Sequence, residues 1–167
     1  LRNPKIIFLN AIFLFIVLYY VYPLKFLTKM LSLPIMYLFS GNELFINNLT
    51  EMIHNDQVGD LMIIYGMGAA LIFLTLAWMY HYAGKKADEM GLDEIERFDT
   101  KVSFKANLLM ASIPLLSVLI ALLFQRTLYV GAYSGFTYFL YTPLMFWYFT
   151  RSANRREELV RNLFTDK

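Results

Sequence analysis

The sequence contains no cysteine, which excludes a disulfide framework and any thiolate metal site. Its two histidines, His54 and His81, are too far apart for ligand-like spacing. Charged residues make up 17% of the chain, against about a quarter in soluble domains. Net charge is only +2, and no basic stripe is interleaved with aromatics, so nucleic acid is excluded as a partner. There is no glycine-rich phosphate loop, internal repeat or low-complexity tract. No carboxylate pair and no Ser/His/Asp set is spaced to act together, so the chain is read as a non-enzyme without a cofactor.

What is abundant is apolar. Hydrophobic residues reach 58%, where globular domains hold about 45–50%. Four stretches are long and almost free of charge: Ile6 to Leu24, Leu61 to Tyr82, Ala106 to Phe124 and Thr127 to Thr150. Each is close to the roughly 20 helical residues that cross a hydrocarbon core of about 30 Å. Helices, unlike open strands, satisfy their own backbone in lipid. Buried helices of a large soluble protein are the competing reading, but four such stretches leave too little polar surface. The fold class expected is an all-α integral membrane helix bundle with four transmembrane helices. One transmembrane domain divides into a first span (1–31), an outer connection (32–60), a second span (61–83), a cytoplasmic linker (84–105), a third span (106–126), a fourth span (127–150) and a cytoplasmic tail (151–167).

Basic residues set the orientation. With the N-terminus inside, Arg2, Lys5, Lys85, Lys86, Arg97, Lys101, Lys105, Arg151, Arg155, Arg156, Arg161 and Lys167 are cytoplasmic. Only Lys25, Lys29 and Arg126 lie outside. The chain is therefore placed in the cell membrane with both ends cytoplasmic. Trp78, Tyr80 and Tyr82, with Trp147 and Tyr148, form the inner aromatic belt, and Tyr19, Tyr20 and Tyr22 the outer one. The chain opens on Leu1, which predicts processing or a piece of a longer protein.

In the outer connection, Pro34 is expected to end the first helix. Ser40 and Glu43 read as a capping box. Behind it Phe45, Leu49, Met52 and Ile53 share one face of a short amphipathic helix. Glu43, Glu51, Asp56 and Asp60 make an acidic face, read as a solvated loop or a cation-attracting vestibule. Asn48-Leu49-Thr50 is a formal glycosylation acceptor. In the inner connection, Asp93 and Arg97 are spaced as a helical ion pair, and a helix is expected to run into the third span.

No ionisable residue lies in mid-membrane, where it would mark a functional site; His81 sits at the inner interface. The weakly polar residues Asn10, Asn107, Ser112, Thr137 and Thr142 are expected to hydrogen-bond neighbouring helices. Pro23, Pro114 and Pro143 are candidate bends. Gly131 and Gly135 form G-x-x-x-G, and Gly66 with Ala70 a looser version, so these positions should let backbones approach closely. The candidate site residues are thus structural: Asn10, Gly66, Ala70, Asn107, Gly131 and Gly135. None is a catalytic, cofactor or metal position.

Two segments carry a resemblance. Leu9-Asn10-Ala11-Ile12-Phe13-Leu14-Phe15 leads into Tyr20-Val21-Tyr22-Pro23-Leu24-Lys25-Phe26-Leu27. Ile64-Tyr65-Gly66-Met67-Gly68-Ala69-Ala70 is followed by Met79-Tyr80-His81-Tyr82-Ala83 and Gly91-Leu92-Asp93. These resemble the third and fourth helices of bacterial members of the transmembrane protein 175 family, potassium channels related to the lysosomal one. The third and fourth spans match that family's fifth and sixth helices in place and length. The family hallmark, Arg-x-x-x-Phe-Ser-Asp on a pore-lining first helix, is absent; Arg97-Phe98-Asp99 is an echo on the wrong segment. The resemblance implies a homotetrameric, potassium-selective channel subunit in membrane lipid. These would be the last four helices of six, scaffolding a pore helix outside this sequence, and Asn10 would bond either across to that helix's polar motif or to headgroups or a polar group of these spans such as Asn107 or Thr150. The alternative from another class is a non-conducting scaffold subunit of a larger complex.

Overall fold

A computed structural model describes residues 4–44, 47–48, 57–125, 127 and 130–165. The described residues are helical, with no strand. In order come α1 (Pro4–Ser40), α2 (Val58–Lys85), α3 (Glu94–Leu123), α4 (Val130–Phe136), a 3-10 turn (Thr137–Leu140) and α5 (Tyr141–Thr165). Three helices are long and apolar enough to cross a membrane: the Pro4–Lys25 part of α1, α2 and α3. The stretch expected as one fourth span is instead broken into α4, the 3-10 turn and α5. Pro143 explains the break. It lacks the N–H that would bond the carbonyl of Phe139, and its ring crowds that carbonyl; Phe139 lies within the 3-10 turn.

Pro34 does not end the first helix. α1 runs through Pro23 and Pro34 to Ser40, about 55 Å at 1.5 Å per residue. Hydroxyls bond carbonyls along its second half, Thr28 to Leu24 at 2.8 Å, Ser32 to Lys29 at 2.8 Å and Ser40 to Met36 at 2.7 Å. The stop comes at Gly41, in the left-handed region (φ 65) with its N–H on the Tyr37 carbonyl. A side chain there would be strained, so glycine is the terminator. Ser40 is consequently the last residue of a helix and not the cap of the next one. Just beyond it, Asn42 Oδ1 accepts from the Leu44 amide at 3.0 Å. Phe45, Leu49, Met52, Ile53, Glu51, Asp56 and the Leu49-Thr50 part of the acceptor tripeptide lie outside the described residues, as do His54, Arg126 and Lys167.

The inner connection does lead into a helix. Asp93 and Glu96 form a reciprocal capping box at the start of α3, each side chain accepting from the other's amide. This changes the partner of Arg97. Asp93 is occupied as the cap, and Arg97 pairs with Asp88 at 2.6 Å while its Nε donates to the Leu92 carbonyl. Gly91 (φ 66) makes the turn between them.

The core lies between α2 and α3, the most extensively packed pair. Tyr65, Gly66, Ala70 and Ala77 of α2 are buried, as are Ala111, Pro114, Ser117, Val118 and Ala121 of α3. Small side chains let two helices approach at the distance where dispersion holds them, since lipid removes the hydrophobic drive. The α1 backbone comes close only to α2 among the described residues. Its other face is open: Phe8, Phe15, Leu18 and Tyr19 are all more than 60% exposed.

Candidate functional site

Hydroxyl groups inside the bundle are paired with backbone carbonyls of neighbouring helices. Pro114 has no N–H, so the carbonyl of Met110 loses its helical partner. The Tyr141 hydroxyl donates to that carbonyl at 2.8 Å. Seven residues on, the Tyr148 hydroxyl donates to the Val102 carbonyl at 3.0 Å. One more step along, Arg156 Nε donates to Asp99 Oδ1 at 2.9 Å. As 141, 148 and 156 meet 110, 102 and 99, α5 returns antiparallel to α3 and is stitched to it at three levels. Asp99 accepts from Arg156, and that bond raises the guanidinium pKa above its ordinary value.

A second junction joins α1 to α2. The Tyr20 hydroxyl donates to the Tyr65 carbonyl at 2.8 Å, and the Tyr65 hydroxyl donates to the Pro23 carbonyl. The two rings meet edge to face at 6.3 Å. Gly68 makes room: a Cβ there would lie 2.2 Å from the Tyr20 ring. Tyr20 is therefore a helix–helix contact, while Tyr19 is exposed. A third junction holds α4. Ser117 Oγ donates to the Ser134 carbonyl at 3.0 Å, and Thr137 Oγ1 donates to the same carbonyl at 2.6 Å.

The structural residues singled out in the sequence are distributed among these contacts. Gly66 lies against α3, where a Cβ would stand 2.4 Å from Val118 Cγ2 and 3.0 Å from the Pro114 carbonyl. Ala70 is 1% exposed. Gly131 meets Val58 of α2, but Gly135 has nothing within 4 Å of a Cβ. Asn107 donates to the Ser103 carbonyl at 2.8 Å, Ser112 to that of Leu109, and Thr137 to that of Ser134. These three serve nearby backbone of their own segments and not the neighbouring helices. Asn10 is exposed, and its carboxamide has no hydrogen bond among the described residues. Asp60, at the start of α2, accepts from Gln125 Nε2 at 2.6 Å. His81 is exposed at the other end of α2, its ring 5.2 Å from Phe104.

Among the described residues no group of three or more His, Asp or Glu is placed to hold a metal ion. The arrangement does one physical thing well. It joins five helical segments, α1 to α2 and both α4 and α5 to α3, with bonds to backbone carbonyls, and leaves one face of α1 open.

The chain is 43% identical over 150 residues to a potassium channel from Marivirga tractuosa, an alignment covering 87% of this chain and 59% of that protein. It superposes with a TM-score of 0.78 and 39% identity on the crystal structure of a variant of the potassium channel MtTMEM175, bound to a nanobody–MBP fusion. That match covers 92% of this chain and 66% of the solved one. The chain belongs to the transmembrane protein 175 family. No family model matches it. This transmembrane protein 175 relative is a membrane protein, with apolar helices of spanning length. It spans about three-fifths of the length of the curated relative. Sequence reasoning did not single out Tyr65, Gly68, Tyr141 or Tyr148 as helix contacts; the one legible signal was Pro114, which leaves the Met110 carbonyl in need of a donor that Tyr141 supplies.

Proposed function

We propose that this chain is the scaffold of a potassium-selective cation channel subunit, and that the pore-lining helix comes from a segment outside this sequence. The observation that carries the reading is the 43% identity to a potassium channel of which this chain spans 59%. Two features agree with it. The open apolar face of α1 offers a seat for further helices. The exposed carboxamide of Asn10 is costly in lipid without a partner. In this reading α4, the 3-10 turn and α5 cross as a fourth span, with Pro143 bending it. These are the last four helices of six. The twelve-to-three division of basic residues puts both ends in the cytoplasm and the chain in the cell membrane. Four subunits surround one pore. The role needs no cofactor; the transported ion is potassium.

The test is potassium flux into liposomes holding the complete protein, across a range of voltages and pH values. Flux that sodium does not match is the expected result. No flux under any condition supports instead a non-conducting scaffold subunit of a larger complex.

A further inference from the structure

At the end of the bundle where α3 begins, four cations line one cleft. Lys101 and Lys105 are a turn apart on α3, and Arg151 and Arg155 are a turn apart on α5. The antiparallel stitching at Tyr148–Val102 and Arg156–Asp99 turns these two faces toward each other. The cleft is about 340 Å³, with Phe98 and Trp147 in its walls. All four cations are exposed, and none forms an ion pair among the described residues. The nearby carboxylate of Asp99 is taken by Arg156. Arg151 lies over the Trp147 ring at 5.6 Å, which fixes its guanidinium beside the cleft.

Like charges one turn apart repel, and two such pairs facing each other repel further. No carboxylate pairs with any of the four among the described residues, so the cleft is open to an anion from outside. Its depth says which kind. Trp147 is 60% exposed at the point where the apolar run of the last helix gives way to charge, the level at which tryptophan meets lipid headgroups. A soluble anion needs no apolar wall; a phospholipid presents a phosphate to the cations and a glycerol backbone to the rings. We propose that this cleft binds the headgroup of an anionic phospholipid of the cytoplasmic leaflet. The four cations surround the phosphate from the two helices, with Arg151 held against Trp147. The lipid thereby bridges α3 to α5 and fixes the last helix. The inference rests on the membrane placement proposed above and not on ion conduction.

Binding of dioleoylphosphatidylglycerol and dioleoylphosphatidylcholine to the detergent-purified protein, read by native mass spectrometry, tests it. Phosphatidylglycerol should bind at least about tenfold more tightly, given four cations near the headgroup. K105Q and R155Q should each weaken it about fivefold, while the charge-keeping K105R and R155K retain it. K29Q, on α1 away from the cleft, should leave it unchanged. Equal binding of the two lipids, or full binding by K105Q and R155Q, would overturn the proposal. Displacement of the lipid by equimolar inorganic phosphate would assign the cleft to a soluble anion and also overturn it. Loss of potassium flux with intact lipid selectivity would sink the channel reading and leave this one standing.

Discussion

The hydroxyl of Tyr141 and the missing amide of Pro114 form one device, and that makes them separable by experiment. The Met110 carbonyl has no helical donor because residue 114 is proline, so Tyr141→Phe leaves it unbonded. The expected cost is about 1 kcal/mol of thermal stability in detergent. In a Pro114→Ala background the new amide can serve Met110, and Tyr141→Phe should then cost less. A double-mutant cycle on melting temperature reads the difference; equal costs in both backgrounds would reject the device. The glycines give a second contrast. Gly66→Val pushes a branched side chain into Val118 and the Pro114 carbonyl, and overpacking of that kind costs about 1–3 kcal/mol. Gly135→Ala meets open space and should stay within about 0.5 kcal/mol of the parent. Melting curves of the two side by side check both. G-x-x-x-G spacing announces two glycines, but only the neighbouring helix decides which is in contact, and that information is not local.

At the scale of elements, α5 has two halves held by different means. Its first turns are bound to α3 by Tyr141 and Tyr148, while its charged second half has the Arg156–Asp99 pair. That pair is about half exposed, so its worth is about 0–1 kcal/mol. Arg156→Gln should barely move the melting temperature. Local opening should nevertheless increase, because few other contacts hold this segment. Hydrogen exchange of peptides from residues 152–163 should quicken, while residues 58–85 stay protected. Unchanged exchange at 152–163 would show that the tail is held by something other than Asp99.

For the whole molecule the open question is placement. The sequence has no native cysteine, so single cysteines report cleanly. Asp56→Cys should react with an impermeant maleimide from outside and Arg155→Cys should not; the reverse pattern would invert the topology and reassign the leaflet of the basic cleft. Asn10→Leu keeps size and removes donor and acceptor. It should weaken the tetramer or conduction while the monomer still inserts, as read by size-exclusion chromatography and flux. Normal assembly with normal flux would show that the carboxamide faces lipid or headgroups only.

Composition and hydropathy determined by themselves that this is a helical membrane protein, because spanning length and charge asymmetry are properties of contiguous sequence. The motif-grade stretches around Asn10 and Gly66 sufficed for the family, since they preserve residue order. Where helices stop, and which face meets which, was decided by tertiary structure. Pro34 reads as a breaker in water, where a freed carbonyl and a bend are easily solvated. In α1 the helix nevertheless continues through it to Gly41, whose left-handed backbone is what ends it. Pro143 has the same chemistry and a different outcome: the chain before it tightens into a 3-10 turn. Four residues at about 120° each, in place of about 100°, rotate the following helix by roughly 80°. The rotated α5 carries Tyr141, Tyr148 and Arg156 on the face that meets α3. Two prolines with identical local rules thus have different outcomes: α1 runs through Pro34, while the chain before Pro143 tightens and α5 returns along α3, bonded to its carbonyls.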